Sequence, residues 1–309
     1  MDRTFSEDID FKINHNQVWD EFKKRFMRGF FAVSILLTLF GCMGCSSLLY
    51  YPQRVLYQDP ASLGFHPDDI YIESSKDVTI NAWFFKHKAN TSTKGIFVFF
   101  HGNGENLSSH YMTLLWLLDF DYDYLIFDYQ GYGKSQGEPS PKGTLEDGIA
   151  ALRWVHMNFP KKPIFIFGQS LGGAVAMKTV IEFKNEIPIS GVFVDSTFLS
   201  YKSEARDVLA KTWFTWILQP FTNLLLSDKY APGNEVEKIS PIPLIVIHGD
   251  NDQTVAIEQG RAVFEKAKEP KEFWLAKGGK HTDALWRNHQ TEFRQKILDK
   301  VNQLTVASH

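Results

Sequence analysis

The chain has 309 residues, 44% of them hydrophobic and 15% aromatic, which supplies apolar mass for one large core and argues against disorder. Its 33 basic and 36 acidic residues leave a net charge of −3 with no block of five like charges, which argues against a nucleic-acid partner. Cys42 and Cys45 are the only cysteines, so the rest of the chain forms no disulfide, and a redox or zinc site lacks the helix context or the second ligand pair it needs.

Both cysteines close an apolar stretch. Lys23, Lys24, Arg25 and Arg28 precede an 11-residue apolar run, Phe30 to Phe40, and small residues follow. A basic region, a short apolar run and a small-residue site make a secretory signal. "LFGC", ending at Cys42, resembles a bacterial lipobox, and "CMGC", ending at Cys45, is a second lipidation candidate. Met27 opens a complete short signal of its own, which makes residues 1–26 an upstream extension on this reading. Two alternatives remain. The uncharged run from Gly29 to Tyr51 is long enough for an uncleaved membrane anchor, and a buried core helix is the third reading. In the first two cases the basic flank stays in the cytoplasm and the domain after residue 50 lies outside it.

Residues 50–309 then alternate strand-like and helix-like runs. Strands are expected at 78–85, 95–100, 122–129, 163–168, 189–195, 243–249 and 272–276. Helices are expected at 106–118, 144–158, 171–183, 257–267 and 282–303, the second opened by Thr144 and Asp147 at capping-box spacing. Continuous apolar strands between amphipathic helices indicate an α/β fold with a mostly parallel central sheet covered on both faces. Residues 197–240 break the rhythm. They carry Trp213, Phe214, Trp216 and Phe221 and read as a short helical cap lining a pocket, or else as an ordinary crossover helix.

One pentapeptide carries the chemistry. Gly168-Gln169-Ser170-Leu171-Gly172 follows a buried strand and begins a helix, which is the place of a nucleophile elbow. A serine hydroxyl needs a base, and the base needs an orienting acid. Asp252 follows the strand at 243–249 and His281 follows the strand at 272–276, giving the chain order Ser, Asp, His. Both stand at the carboxyl edge of the sheet, where open α/β sheets bind ligands. Asp250 and Asp195 are rival acids; the first is expected to cap its turn, the second to bond backbone near the cap. The glycine-rich "FFHGNGENLSS" supplies an oxyanion loop. One donor is assigned to the backbone N–H of Asn103, with Gly104 as the alternative, and the other to Leu171. His101 is expected to hold this loop rather than react.

At these motifs the chain resembles the α/β-hydrolase superfamily, from about residue 50 to 300, in "FFHGNGEN", "DYQGYGKSQGEPS", "GQSLGG", "HGDNDQTV" and "GGKH". The motifs look like those of its serine-hydrolase branch, which includes membrane-anchored or lipoprotein, acyl-thioesterase-like and aminopeptidase-like members with short caps. The family pattern falls on Ser170, Asp252 and His281 one by one, and departs from it only at Val255-Ala256, where relatives often have Val-Pro. The resemblance implies a serine hydrolase needing neither cofactor nor metal. Its partners would be a small acyl substrate, an ester or acyl thioester first and a short peptide second, and a membrane reached through the N-terminal segment. A non-catalytic binding lipoprotein and an acyl transferase are the rival readings.

Overall fold

The computed structural model describes residues 50–88, 91–210, 219–220 and 222–306. The lipidation, anchor and start-site readings at Met27, Cys42 and Cys45 lie outside the described residues, as do the aromatics Trp213, Phe214, Trp216 and Phe221.

Eight strands form one sheet: β1 (Asp68–Ser75), β2 (Val78–Phe85), β3 (Gly95–Phe100), β4 (Tyr122–Phe127), β5 (Ile164–Gln169), β6 (Gly191–Asp195), β7 (Leu244–Gly249) and β8 (Lys271–Ala276). Their spatial order is β8-β7-β6-β5-β3-β4-β2-β1. β1 and β2 pair antiparallel, as do β2 and β4; every other pairing is parallel. Each residue of β3 to β7 is buried, which is why these strands read as unbroken apolar runs. β1 is the strand the sequence reading omitted. It lies at the edge and obeys the other rule, alternating the inward Ile70 and Ile72 with Tyr71, which is 56% exposed.

Among the described residues the longer helices are α1 (Pro141–Asn158), α2 (Leu171–Phe183), α3 (Tyr201–Ala210), α4 (Ile257–Lys266) and α5 (Gln290–Val306). One core layer joins α1, α2 and α4 to the sheet through Leu152, Val155, Met177 and Val263. A second joins α5 and residues 107–118 to the sheet through Tyr111, Leu117, Phe293 and Ile297. Burying each such side chain stabilises the fold by about 1.5–3 kcal/mol before entropy is counted.

Three helix expectations need correction. α1 starts at Pro141, not Thr144: the Ser140 hydroxyl accepts the Gly143 amide and Pro141 occupies the first helical position. Thr144 and Asp147 are buried inside it, and Asp147 accepts from Ser74 and the Gln130 amide, so the capping box does not exist. Residues 106–118 are not one α-helix but a turn at Leu107–His110 followed by 3-10 turns at Tyr111–Thr113 and Leu115–Phe120. Tyr111, Leu114 and Leu117 are all fully buried, and a spacing of three fits the 3-10 period. The helix expected from residue 282 begins at Gln290, because Thr282 and Arg287 adopt left-handed backbone that an α-helix cannot include.

Within 197–240 the described residues form α3, a turn at Thr222–Leu225 and a 3-10 turn at Gly233–Ile239, and no strand. Phe198, Tyr201, Val236 and Ile239 anchor this region in the core.

Candidate active site

Ser170 stands between β5 and α2 with φ 54° and ψ −121°, a conformation that L-residues adopt only under constraint, at a cost of about 1–3 kcal/mol. The constraint is visible. A Cβ on Gly172 would lie 2.1 Å from the Phe100 carbonyl oxygen, and one on Gly168 would lie 2.7 Å from the Gly172 oxygen. The two glycines let strand, turn and helix approach this closely. Backbone bonds fix the turn: Ser170 N–H donates to the Asp195 carbonyl at 2.9 Å, and the Ser170 carbonyl accepts from the Thr197 hydroxyl at 2.8 Å. The hydroxyl-bearing residue is left half-buried at the carboxyl end of the sheet.

The loop after β3 borders this turn. Phe100 pairs with Gly168, and a Cβ on Gly102 would lie 3.9 Å from the Ser170 Cβ. Asn103 follows. Its carbonyl and side-chain oxygens both accept from the Tyr132 hydroxyl, at 2.8 and 2.9 Å, and the side-chain oxygen also accepts the Tyr51 amide at 3.1 Å. Those bonds commit both of its oxygens. Gly104, the alternative, is drawn into a short parallel pairing with Tyr51. Leu171 is the first residue of α2, where a backbone N–H has no partner within the helix. His101 is fully buried, with Nδ1 2.7 Å from the Gly102 carbonyl and Nε2 3.3 Å from Asp128, whose carboxylate accepts the Leu107 amide. Burial pushes the Asp128 carboxyl up.

The other two predicted residues meet across the β7 and β8 loops. His281 Nδ1 lies 2.8 Å from Asp252 Oδ2. Asp252 Oδ1 accepts the amides of Thr254 at 2.8 Å and Val255 at 3.0 Å, an arrangement that turns the chain back on itself after β7. Burial alone would raise the Asp252 carboxyl, but hydrogen bonds from His248 and His281, the His281 charge and the Thr254 amide outweigh it and hold it well below the usual carboxylate range. The carboxylate is sealed from solvent, while a quarter of the His281 side chain is exposed. A cavity of about 270 Å³ adjoins this pair, lined by Asn251, Gln253, Thr254, Lys280 and His281.

A family model described as serine aminopeptidase, S33, matches residues 91–240, a span that includes Ser170 and ends before Asp252 and His281. The uncharacterised protein YfhR of Escherichia coli K12 is 30% identical over 258 residues, 82% of this chain and 86% of that protein. The chain belongs to the α/β-hydrolase superfamily. Lysophosphatidylserine lipase ABHD12 of Macaca fascicularis is 27% identical over 277 residues, 79% of this chain and 68% of that protein. The fold matches the Pyrococcus furiosus esterase Pf2001 at a TM-score of 0.62 and 23% identity, over 82% of this chain and 95% of that one. It also matches a thermostable carboxyl esterase of Bacillus coagulans at 0.61 and 17% identity, over 77% and 98% of the two chains.

As a member of this superfamily, the chain is a hydrolase, and several of its residues support the site in ways the sequence reading did not assign. Asp250 accepts the Gly278 amide, so it braces the turn after β8. Asp195 corrects an expectation: its side chain does not bond backbone but accepts from Gln169 Nε2 and the Ser196 hydroxyl, each at 3.1 Å. Ser196 in turn accepts the Thr282 amide at 3.0 Å, tying the residue after His281 to the end of β6, next to the strand that presents Ser170. His248, at the end of β7, places Nε2 3.0 Å from the Val255 carbonyl and 3.4 Å from Asp252 Oδ2. Among the described residues, no group of three or more His, Cys, Asp or Glu is arranged to hold a metal ion, and no helix is long and apolar enough to cross a membrane.

Proposed function

We propose that the protein hydrolyses a carboxylic ester or acyl thioester through Ser170, His281 and Asp252. The observation that carries this is the 2.8 Å contact of His281 Nδ1 with the buried Asp252 carboxylate, made at the same sheet edge as the elbow serine. With Nδ1–H engaged, the imidazole keeps Nε2 as the basic nitrogen. On this reading Nε2 takes the Ser170 Oγ proton as Oγ bonds to the acyl carbon. The oxygen that gains charge is stabilised by the Asn103 and Leu171 amides. The tetrahedral species collapses, His281 gives its proton to the leaving oxygen or sulfur, and an acyl-enzyme remains. Water, deprotonated by the same nitrogen, then releases the acid and regenerates Ser170.

An ester or thioester is favoured over a free-amine peptide by the lining of the cavity beside His281. It includes the cation Lys280 and no carboxylate, which disfavours a second positive charge there. The named activities of a lipase and esterases among the relatives support the same reading, while the description of the family model, serine aminopeptidase, supports the peptide alternative that the substrate panel tests. Membrane attachment through Cys42, Cys45 or an anchor is proposed from residues 23–51 of the sequence alone, and is tested by lipid labelling of Cys42→Ser and Cys45→Ser variants.

The reading predicts that a fluorophosphonate probe labels the protein but not its Ser170→Ala variant. A panel of acyl esters, acyl thioesters and aminoacyl anilides then ranks the substrate classes. A folded protein that takes no label would remove the enzyme reading of this site and leave a binding role in its place.

A further inference from the structure

His248 is fully buried at the end of β7, touches no surface, and has no part in the mechanism above. Its Nε2 faces two groups that only accept hydrogen bonds: the Val255 carbonyl at 3.0 Å and Asp252 Oδ2 at 3.4 Å. Neither has a proton to give, so Nε2 carries the hydrogen; it donates to the Val255 carbonyl and makes a longer polar contact with Asp252 Oδ2. The far side of the ring is closed. Nδ1 has no hydrogen-bond partner, and a Cβ on Gly260 of α4 would lie only 2.3 Å from it. The ring is therefore wedged between the α4 backbone and the Asp252 turn.

The Asp252 carboxylate needs such a wedge. Its Oδ1 is held by the Thr254 and Val255 amides, yet the terminal torsion of an aspartate has broad, shallow wells. His281, on a loop from another strand, cannot both be oriented by the carboxylate and be what orients it. The His248 N–H, 3.4 Å from Oδ2, limits the remaining freedom.

We infer that His248 is a positioning residue: pinned by the Val255 carbonyl and by α4, its Nε2–H holds Asp252 Oδ2 in the orientation that receives His281 Nδ1. The inference rests on the proposed triad. It predicts an effect on the chemical step and none on substrate binding, because His248 is out of reach of substrate.

The test compares His248→Leu, which keeps bulk and removes the donor, with His248→Gln, whose amide nitrogen falls near the place of Nε2. In His248→Leu, kcat on the best ester of the panel falls roughly 10–100-fold with KM within twofold, the size expected when a catalytic group is held loosely. In His248→Gln, kcat returns to within a few-fold of the parent. The downfield proton resonance of His281 Nδ1–H, read without substrate, broadens or disappears in the leucine variant and is recovered in the glutamine one. Gly260→Ala supplies an independent displacement, since its new methyl pushes the ring from behind, and it carries the test should His248→Leu fail to fold. A folded leucine variant with unchanged kcat and an intact resonance overturns the inference. A parent that keeps the resonance but hydrolyses no ester overturns the proposed function instead, and leaves the His248 geometry to be judged on the resonance alone.

Discussion

The two sides of this site are built by different means. On the nucleophile side, Ser170 is placed by backbone: a left-handed turn, glycines at 168 and 172, and main-chain bonds to β6. On the acid–base side, Asp252 and His281 are placed by side-chain bonds between loops, with Ser196, His248 and the Thr254 and Val255 amides as the braces. A site fixed by backbone survives loss of its side chain, whereas one fixed by side chains does not survive loss of a partner. The contrast says where each substitution should be felt, in chemistry or in folding.

Asp252→Asn gives the largest expected effect. The amide presents Asp252's neighbours with a group that can donate as well as accept, so His281 loses both its negative partner and its fixed tautomer. Ester turnover should fall by about 10⁴-fold, measured as kcat at saturating substrate, while the elbow stays in place. A variant turning over within tenfold of the parent would show that Asp252 is not the orienting acid, and attention would move to Asp195, the other buried carboxylate near the elbow.

Gly172→Ala breaks the other side. The added Cβ would sit 2.1 Å from the Phe100 carbonyl and 2.4 Å from that of His101, both backbone atoms that cannot swing aside. Alanine's better helix propensity offsets only about 1 kcal/mol of this. The net loss should be about 3 kcal/mol, and the melting temperature should drop by roughly 6–12 °C in calorimetry. Unchanged melting would mean that the elbow is not the backbone-determined element described here.

The same contrast explains what was legible in the sequence. The central strands and the elbow were readable because glycine and unbroken apolar runs report backbone and burial directly. Asp252 and His281 were readable only as an order of residues at strand ends; their contact was an expectation, and the structure places them 2.8 Å apart. The braces were not readable. His248 lies within an apolar strand and looks like part of it, and Ser196 and Thr282 are joined across 86 residues by a bond with no local signature. Where local rules competed, tertiary packing won. Asp147, placed by spacing in a capping box, is consumed by contacts with Ser74 and Gln130. The edge strand β1 announced itself by alternation, a weaker signal than the solid runs around it.

The two sides also differ in how protons act on them. Asp252 is held well below the usual range, so it adds stability above the unfolded aspartate pKa of about 4 and loses it only as pH falls further. The carboxyls around the nucleophile and its loops go the other way. Burial outweighs the donors to Asp128 and Asp195 and raises both, and Asp147, under the Gln130 turn, is pushed up to about 7. A carboxyl raised in the folded state binds protons that the unfolded chain releases, so its contribution is present below about pH 4 and is lost as pH rises to about 7. Above that, the folded state carries a buried charge. Asp147 alone should make the protein roughly 1 kcal/mol more stable at pH 6 than at pH 8 in urea unfolding. His110 opposes this: burial pushes its imidazole down to about 4, so near pH 6 only the unfolded chain takes up its proton. Comparing parent and variant isolates the Asp147 share. Asp147→Asn cannot ionise and should remove that share of the difference while leaving the sealed Asp252 unaffected. A pH difference that persists undiminished in the variant would place the responsible group at Asp128, Asp195 or His248 instead, each also raised in the fold.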